Sequence, residues 1–422
     1  MKFNASKYNV FLTNNVICNL LSKKYIKVNK ELYSFLQKQK SFQLTDFYDD
    51  ILNELLDANI ITKPNELSII DYKYNALKFA KNKASYIIYP TLDCNFSCNY
   101  CYQIYKGSRL SSDKEKILQQ FLLNELPNLN ELKILWSGGE PLLKWNFIKQ
   151  TNLAILKIAN NNLDFYSDIA TNGYLINDKI VDEMQECNIS TLQITVDGSE
   201  QEHNKIRFSK ADKSTYISVI NGIKRASKNI NVRIRLNINC HNTNSFDSFL
   251  DDLEKNNCNN SNISIFVKKT LAKQDNSSYC TLLNDNEFYE YEIKYAELAH
   301  KKGFNYSLHP SWKSSIRCAY HHINSFAIDP NLLVYKCAME IGMQEKSVGL
   351  IENTSILNLH ENASYGLLYS PLTIDECRKC FVLPICGGKC PVEWERQNKQ
   401  QDTGCIPDKQ SISIKLNNLI NH

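Results

Sequence analysis

Six apolar runs, each followed by an amphipathic stretch, occupy the middle of the 422-residue chain. The runs have the length of buried strands and lie at residues 86–92, 132–136, 165–170, 192–196, 232–238 and 263–267. The stretches with helical periodicity lie at residues 114–126, 145–160, 178–187, 215–228, 246–256 and 287–300. This alternation predicts an α/β fold with a parallel sheet and with ligand sites at the carboxyl ends of its strands. Six repeats fit either an open barrel or a doubly wound sheet. Ser112 and Glu115 predict a capping box on the first helix.

Cysteine is the outlier in the composition, because the chain holds 15, an odd number that cannot all pair. The chain shows neither a secretory signal nor an apolar run long enough to span a bilayer, so we expect a cytoplasmic protein with reduced thiols. The cysteines are therefore expected to be metal ligands or small buried hydrophobic residues. The 49 basic and 45 acidic residues balance too closely to favour nucleic acid or a membrane surface as a partner.

Three cysteines, Cys94, Cys98 and Cys101, follow the first predicted strand in a C-x3-C-x2-C pattern. Three thiolates from one short loop can hold three irons of a cubane cluster, which leaves the fourth iron open to a substrate. The alternative is a zinc site that lacks one ligand.

This motif is that of the radical S-adenosylmethionine (SAM) enzymes, and the segments after the next strands resemble the same family. The second strand is followed by Ser137-Gly138-Gly139-Glu140-Pro141. The resemblance implies that Gly138, Gly139 and Glu140 contact the methionine amino group of SAM and that Tyr102 is a further SAM contact. Glycine lets the backbone approach a ligand closely, and a carboxylate accepts hydrogen bonds from an ammonium group.

The third and fourth strands end in Thr171-Asn172-Gly173 and Thr195-Val196-Asp197-Gly198. By the same resemblance, the polar side chains here face the ribose and the carboxylate of SAM. His203 and Arg207 continue the family pattern, with Asn204 where aspartate is commoner. For Asp197 and His203, a helix-capping network is the alternative. The SAM contacts expected from these segments are Thr171, Asn172, Thr195 and Arg207.

Seven further cysteines lie in the last third of the chain. In isolation, the C-x2-C and C-x3-C spacings predict a structural zinc ribbon. The complete series resembles the SPASM extension of radical SAM peptide-modifying enzymes, which implies two auxiliary [4Fe-4S] clusters and three clusters in all. The distal cluster would be held by Cys377, Cys380, Cys386 and Cys405. The nearer cluster would be held by Cys318, Cys337 and Cys390.

Two positions depart from the SPASM pattern. The family has a glycine five residues before the second cysteine, where this chain has Leu332, so we expect a different local turn that uses Asn331. Some members also supply a fourth ligand from a cysteine shortly before the first, and none lies between residues 280 and 318. Three possibilities are open: a returning Cys280 or Cys258, a histidine (His309, His321 or His322), or an iron free to bind a substrate thiolate.

The first 80 residues contain one cysteine and predict a small separate unit. Strand-like runs at 8–12 and 16–20 flank the turn Asn14-Asn15, and two helical faces and the short run Ile60-Ile61 follow. The helical faces are Leu32, Phe35 and Leu36, then Phe47, Ile51, Leu55 and Leu56. We expect a winged-helix-like domain that resembles the leader-recognition domains of enzymes maturing ribosomally made peptides. The expected domains are therefore 1–80, a partial (β/α)6 TIM barrel over 85–300, and a SPASM domain over 301–422.

The resemblance implies that the cluster on Cys94, Cys98 and Cys101 reduces SAM to methionine and a 5′-deoxyadenosyl radical, which abstracts a hydrogen atom from the substrate. We expect oxidative maturation of a ribosomal precursor peptide, through a thioether or other side-chain crosslink. The leader would bind the N-terminal domain, and an external donor such as flavodoxin or ferredoxin would supply electrons. The remaining cysteines, Cys18, Cys187 and Cys240, are expected to be inert core residues.

Two alternatives remain. The first is an anaerobic sulfatase-maturase activity that forms formylglycine, for which relatives carry an aspartate just after the second auxiliary cysteine. Here Cys337 is followed by Ala338-Met339, and the first carboxylate, Glu340, comes third. This spacing makes the sulfatase-maturase activity the less favoured interpretation. The second is a non-catalytic interaction protein with zinc in both cysteine groups.

Overall fold

The computed structural model describes residues 2–38, 41–43, 49–62, 65–101, 103, 107–159, 162–209, 211, 213–270, 283–308, 318–352, 355–357, 363, 368–392 and 408–421. The chain forms two compact units, each assembled from separate stretches of sequence. The first unit combines Met1–Ala80 with His309–Ile323 and Tyr365–His422, and the second combines Lys81–Leu308 with Asn324–Ser364. The three expected segments do not coincide with these units, because residues 301–422 contribute to both.

Where it is described, the N-terminal part of the first unit contains two three-stranded antiparallel sheets and three α-helices. Its elements are β1 (Lys2–Ala5), β2 (Asn9–Phe11), β3 (Val16–Asn19), β4 (Lys24–Lys27), α1 (Lys30–Lys38), β5 (Ser41–Gln43), α2 (Asp49–Asp57), β6 (Ile61–Thr62) and α3 (Glu66–Lys78). The sheet orders are β5-β1-β6 and β2-β3-β4. The expected hairpin is β2–β3, and its turn residues Asn14 and Asn15 both have positive φ, which asparagine tolerates.

The expected helical faces of this part are those of α1 and α2, whose Leu36 and Leu55 are buried together with Ile60 and Ile61 in one apolar cluster. Phe47 lies outside the described residues. The winged-helix assignment stays a prediction.

The six strands expected in the second unit are all present and form a parallel sheet. They are β7 (Lys83–Ile88), β8 (Glu131–Trp136), β9 (Asp164–Thr171), β10 (Ile189–Val196), β11 (Asn231–Ile238) and β12 (Ile263–Lys269). Their order in the sheet, β12-β11-β10-β9-β8-β7, follows the chain without reversal. A doubly wound sheet reverses its order at a switch point, so this order excludes that alternative and is the winding of a partial (β/α)6 barrel.

In the described part of the second unit, seven α-helices accompany these strands. They are α4 (Ser112–Glu125), α5 (Trp145–Ile158), α6 (Asp178–Glu186), α7 (Glu200–Ile206), α8 (Tyr216–Ala226), α9 (Phe246–Lys255) and α10 (Asp285–Lys301). The capping box expected at Ser112 is wrong by one residue. Ser111 is the N-cap of α4, and its hydroxyl accepts from the Lys114 N–H at 3.4 Å. Glu115 is therefore displaced from the capping position, and it pairs instead with the Lys144 ammonium at 2.8 Å.

Four short strands extend the same sheet beyond β7. They are β13 (Ser325–Ile328), β14 (Leu333–Tyr335), β15 (Gly349–Glu352) and β16 (Ser355–Leu357). The first pairs parallel with β7, and the others continue antiparallel to give ten strands. The sequence did not reveal them because strands of three or four residues carry too little periodicity.

The C-terminal part of the first unit is helical where it is described. Its elements are α11 (Asp375–Lys379), α12 (Leu383–Cys386) and α13 (Asp408–Asn421). Ile412 and Leu416 of α13 are buried in one apolar cluster with Tyr8 and Val10 of the N-terminal hairpin. Residues more than 360 positions apart in sequence therefore share the core of this unit.

Leu332, between β13 and β14, has a left-handed backbone with φ 66°, although it is 3% exposed and is not glycine. Its N–H donates to the Asp329 carbonyl at 3.0 Å, and its carbonyl accepts from the Ile351 N–H at 3.0 Å. Asn331 takes part in this turn as expected, because its N–H donates to Asp329 Oδ1 at 2.7 Å, but the left-handed residue is Leu332 itself. Leucine adopts that conformation at a steric cost of about 1–2 kcal/mol.

Replacing Leu332 should reverse the usual ranking of alanine above glycine. Both Leu332→Ala and Leu332→Gly lose the buried side chain, at a cost of about 2–5 kcal/mol, but glycine relieves the left-handed strain. We expect Leu332→Gly to be more stable than Leu332→Ala by about 1 kcal/mol in urea denaturation. At the control Leu192, buried in β10, glycine should be the less stable variant. The same order of stability for the alanine and glycine variants at both positions would contradict backbone strain at Leu332.

Candidate functional site

The loop after β7 carries three free, half-buried thiols, those of Cys94, Cys98 and Cys101. The Cys98 and Cys101 thiols add to the pKa of Cys94, and the Cys101 thiol adds to the pKa of Cys98, although burial is the largest cause of both shifts. Burial raises the pKa of Cys94 to about 12 and also raises that of Cys98. A thiolate is therefore disfavoured in this loop unless a cation compensates it, as iron does. Three neighbouring thiols on one short loop fit the donor set of a cubane cluster.

Backbone hydrogen bonds fix the course of this cysteine loop. Phe96 forms an isolated antiparallel bridge with Ser209. The N–H of Ser97 donates to the Phe208 carbonyl at 2.7 Å, and the N–H of Asn99 donates to the Ile206 carbonyl at 3.2 Å. The loop is thus paired along one side with the segment that follows α7.

Tyr100, between the second and third cysteines, anchors the loop by its side chain. Its hydroxyl donates to Asp197 Oδ2 at 2.6 Å and accepts from Arg207 Nη1 at 2.7 Å and from Asn237 Nδ2 at 2.9 Å. Burial raises the pKa of Tyr100, so the phenol keeps the proton that it donates. These contacts tie the loop to the ends of β10 and β11.

Asp197 and His203 do not cap a helix, since the N-cap of α7 is Ser199. Burial raises the pKa of the fully buried Asp197, and the Arg207 guanidinium, 3.8 Å away, opposes that shift. His203 is also fully buried, with its ring edge-on to Tyr216 at 5.4 Å. Its two ring nitrogens have no hydrogen-bond partner among the described residues. Burial lowers the pKa of His203, so its ring is neutral.

Gly138 and Gly139 lie against the backbone that leads into the cysteine loop. A Cβ at Gly138 would come within 2.3 Å of the Thr91 carbonyl oxygen, and one at Gly139 within 2.1 Å of the Asp93 carbonyl oxygen. This close approach allows two backbone hydrogen bonds. The Gly139 N–H donates to the Thr91 carbonyl at 3.0 Å, and the Glu140 N–H donates to the Asp93 carbonyl at 2.8 Å. Within this structure, the glycines permit backbone to approach backbone.

Glu140 is completely buried, and both of its carboxylate oxygens accept hydrogen bonds. Oε1 accepts from Leu142 N–H at 3.0 Å and from the Thr171 hydroxyl at 2.7 Å, and Oε2 accepts from Asn172 N–H at 2.8 Å. Burial raises the pKa of Glu140 against these hydrogen bonds. The carboxylate joins the ends of β8 and β9, and its contact with a methionine ammonium stays a prediction.

The other expected SAM contacts fall at the same edge of the sheet. Asn172 Nδ2 donates to Asn95 Oδ1 at 2.7 Å and lies 3.8 Å from Cys94 Sγ. Thr195 lies in β10, opposite Arg235 of β11. Tyr102 lies outside the described residues. The cysteine loop and the residues that follow β8, β9 and β10 are therefore brought together as expected, but Tyr100 and Asn237 were not identified from sequence. The aromatic position inside the cysteine motif was the signal for Tyr100.

The auxiliary cysteines divide between the two units. Cys377, Cys380 and Cys386 lie in the first unit and form no disulfide, with the first buried and the others half-buried. The Cys380 N–H donates to the Cys377 carbonyl at 3.1 Å, and α12 ends at Cys386. Tyr369 lies beside two of them, because the Cys377 and Cys386 thiols add to the effect of burial in raising its pKa. Three cysteines in one turn-rich segment fit the donor set of a cluster.

The remaining auxiliary residues are more scattered. Cys318 is half-buried and Cys390 exposed in the first unit, and Cys337 is half-buried in the second. Cys405 lies outside the described residues. Over the described ranges, no group of three or more His, Cys, Asp or Glu side chains is arranged to hold a single metal ion.

The other cysteines follow the expectation with one exception. Cys18 and Cys187 are fully buried, as expected. Cys240 is exposed, which corrects its assignment to the core, because it lies in a turn after β11. Cys258 is fully buried in the apolar core of the second unit, which disfavours it as a cluster ligand, and burial raises its pKa to about 11. Cys280 and His309 lie outside the described residues.

Residues 88–265 match the radical SAM superfamily. The chain thus carries a radical SAM domain, and the six strands β7–β12, with the cysteine loop after the first, supply its sheet. None of the helices that the structure describes is long and apolar enough to cross a membrane.

Solved structures with little sequence identity share the fold. The structure titled native anSMEcpe with bound AdoMet and Cp18Cys peptide has a TM-score of 0.60 at 16% identity, over 81% of this chain and 99% of that one. SuiB from Streptococcus suis, bound to its precursor peptide SuiA, has a TM-score of 0.52 at 14% identity, over 97% of this chain and 99% of that one. At these identities, the likeness concerns the fold alone.

Among curated proteins, a serine-type anaerobic sulfatase-maturating enzyme of Bacteroides thetaiotaomicron is 19% identical over 71% of this chain and 80% of its own length. Three other curated relatives match over only 43%, 38% and 47% of their own lengths. The shared region is therefore less than half of each of those proteins.

Substitution of Glu140 should destabilise the apoprotein, because its carboxylate joins two strand ends. Glu140→Gln keeps one oxygen acceptor but turns its N–H₂ either toward the Asn172 N–H or toward the Leu142 and Thr171 donors, and we expect a loss of about 1–3 kcal/mol in the free energy of unfolding. Thr171→Val removes one of these hydrogen bonds and should cost about 1 kcal/mol. Urea denaturation without SAM measures both. Unchanged stability in both variants would mean that Glu140 has no structural role.

Proposed function

We propose that this protein is a radical SAM/SPASM peptide maturase that cleaves SAM and oxidatively modifies a ribosomally made precursor peptide. The observation that carries the first part is the three-thiol loop at the carboxyl ends of β7–β10, with Asn172 beside Cys94. Cys94, Cys98 and Cys101 would hold a [4Fe-4S] cluster, which when bound supplies the electron that splits SAM to methionine and a 5′-deoxyadenosyl radical.

The residues of this chain hold the reactants and exclude water. Arg207 presents a buried guanidinium beside Cys98, where it would neutralise the carboxylate of methionine. Gly138 and Gly139 expose backbone at the same strand ends, and Thr171, Asn172 and Thr195 offer polar groups to the ribose. We assign Tyr102 to the same pocket from the motif alone. The buried carboxylates of Glu140 and Asp197 keep this shell in place before SAM arrives.

Loss of the cluster loop should abolish SAM cleavage. Cys98→Ala removes one thiol, and we expect release of 5′-deoxyadenosine to fall to the level of a protein-free control in an anaerobic assay with dithionite. Cys240→Ala removes an exposed thiol outside the loop and should leave the rate unchanged. Full 5′-deoxyadenosine release by Cys98→Ala would refute radical SAM chemistry for this protein.

For the auxiliary clusters, we propose the ligands Cys377, Cys380, Cys386 and Cys405 for the distal site and Cys318, Cys337 and Cys390 for the nearer site. The short turns that carry Cys377, Cys380 and Cys386 in the first unit support the distal assignment. The spacing of the cysteines supports the rest. Three clusters in one chain would take an external electron donor, for which we propose flavodoxin or ferredoxin.

The fold likeness to SuiB with its precursor peptide, over 97% of this chain, supports a peptide substrate. Within the first unit, β4 is an edge strand that pairs with β3 alone among the described strands. It exposes Lys24, Tyr25 and Lys27. An extended leader peptide can add to such an edge through backbone hydrogen bonds, and the lysines favour an acidic segment. We propose that the leader binds along β4.

Charge reversal on this edge should weaken leader binding without affecting SAM cleavage. We expect Lys24→Glu/Lys27→Glu to raise the Kd for the precursor by about three- to tenfold, since exposed ion pairs contribute about 0.2–1 kcal/mol each. Fluorescence anisotropy with a labelled precursor measures this Kd. The control Lys157→Glu/Lys228→Glu reverses two exposed lysines of the second unit and should leave the Kd unchanged. Equal Kd values for both variants would exclude the β4 edge as the binding site of the leader peptide.

Formylglycine formation is the second candidate, and the burial of Glu340 in the turn after Cys337 favours it, although the sequence spacing counts against it. This carboxylate is 7% exposed and ends the 3₁₀ turn Ala338–Glu340, whose last N–H donates to the Cys337 carbonyl at 3.1 Å. A buried carboxylate is thus held one turn from an expected cluster ligand. A hydrazide reagent separates the candidates on the modified peptide, because it traps the aldehyde of formylglycine and leaves a thioether or other crosslink unlabelled.

A further inference from the structure

The hydroxyl of Tyr100 lies between two buried charged side chains of the second unit. It donates to Asp197 Oδ2 at 2.6 Å and accepts from Arg207 Nη1 at 2.7 Å. Asp197 is fully buried, and Arg207 is 8% exposed. Arg207 Nη1 and Asp197 Oδ2 are 3.8 Å apart, which is beyond hydrogen-bond distance. The hydroxyl therefore connects the two charges in place of a direct hydrogen bond between them.

Asn237 fixes the direction of these hydrogen bonds. Its Nδ2 donates to the Tyr100 hydroxyl at 2.9 Å, and its Oδ1 accepts from Arg235 Nε at 2.9 Å. A guanidinium has no acceptor, so Arg235 orients the amide of Asn237, and Arg207 can only donate. The phenol oxygen thus accepts two hydrogen bonds, and its single hydrogen is used by Asp197. The hydroxyl has no capacity left to bind a ligand itself.

The guanidinium of Arg207 keeps a donor that the chain does not use. The cysteine loop holds this group on two sides, because Phe96 lies 5.8 Å from it in a cation–π contact and Tyr100 accepts from its Nη1. Its Nε is buried and has no hydrogen-bond partner among the described residues. A buried donor is costly to leave unpaired, so this N–H is suited to an anionic ligand beside Cys98.

We propose that Tyr100 is a positioning residue for SAM, because its hydroxyl keeps Arg207 from pairing directly with Asp197 and so leaves the guanidinium directed at the carboxylate of SAM. This inference rests on the proposed function. Without the hydroxyl, the two charges would close the gap between them, since charge-assisted pairs settle at about 2.7–2.9 Å. The positive charge of Arg207 would then be neutralised within the protein. The hydroxyl of Tyr100 therefore acts on SAM through Arg207.

The substitution Tyr100→Phe removes the hydroxyl and keeps the ring. We expect it to raise the Kd of SAM about tenfold, the scale of one hydrogen bond to a charged group. Anaerobic isothermal titration calorimetry of the reconstituted full-length protein, without a reductant, measures this Kd while SAM stays intact. The Kd of decarboxylated SAM, which lacks the anion, should be the same in the wild type and in Tyr100→Phe.

The matched control is Tyr295→Phe. Tyr295 is also fully buried in the second unit, and its hydroxyl donates to the Thr243 carbonyl, outside the cysteine loop. Its loss removes a buried phenol hydroxyl without touching Arg207. Both Kd values should therefore equal those of the wild type. A rise in the Kd of SAM as large as that of Tyr100→Phe would contradict a specific role for Tyr100.

A double variant tests the ion pair itself. Tyr100→Phe/Asp197→Asn removes the negative charge that would capture the guanidinium, so we expect the Kd of SAM to return towards the wild-type value. A double variant that binds SAM as weakly as Tyr100→Phe would contradict the capture of Arg207 by Asp197.

The results that would overturn the proposal differ in what else they refute. A reconstituted wild-type protein that does not bind SAM refutes the proposed function and the positioning role together. Binding by the wild type with an unchanged Kd in Tyr100→Phe refutes the role of Tyr100 alone. An equal loss of affinity for SAM and decarboxylated SAM, or a loss of iron from Tyr100→Phe, would mean that the hydroxyl only stabilises the cysteine loop. That result also overturns the positioning role.

Discussion

The close approach of two backbone segments, Thr91–Asp93 and Gly138–Gly139, sets the position of the cysteine loop. Any side chain at either glycine would place its Cβ within 2.3 Å of a carbonyl oxygen. The hydrogen bonds from Gly139 and Glu140 to that loop exist only because the Cβ atoms are missing. The loop begins where β7 ends, so this contact fixes where the three thiols lie relative to β8. Everything at the carboxyl edge of the sheet is arranged around that position.

Buried charge then connects this loop to the other strands. Glu140 and Asp197 are completely buried, and each is costly to bury unless its oxygens are hydrogen-bonded. Glu140 finds its donors at the end of β9, and Asp197 finds Tyr100 in the cysteine loop with Arg207 nearby. The residues that the sequence pattern assigns to SAM thus also hold the scaffold together. Loss of activity in their variants is therefore evidence for a SAM contact only when the stability of the fold is measured beside it.

The sequence predicted the six parallel strands because each is a long apolar run bounded by an amphipathic helix. It failed where structure depends on distant partners. Strands β13–β16 are three or four residues long, and β13 becomes a strand through its parallel pairing with β7. The N-cap at Ser111 was missed because two adjacent serines offer the same side chain, and the spacing to Glu115 favoured the wrong one. Cys240 looked like a core residue because it follows an apolar strand, but the strand ends two residues earlier.

The two departures from the SPASM pattern have different physical character. At Leu332 the backbone has a left-handed geometry that glycine would adopt freely and that leucine adopts at a steric cost. The buried packing of that leucine offsets part of its strain, since Leu332 is 3% exposed in the core of the second unit. The missing cysteine is a different case, because a metal ligand is a side chain and its loss cannot be absorbed by keeping a backbone conformation. Sequence spacing alone therefore left several residues open for that position.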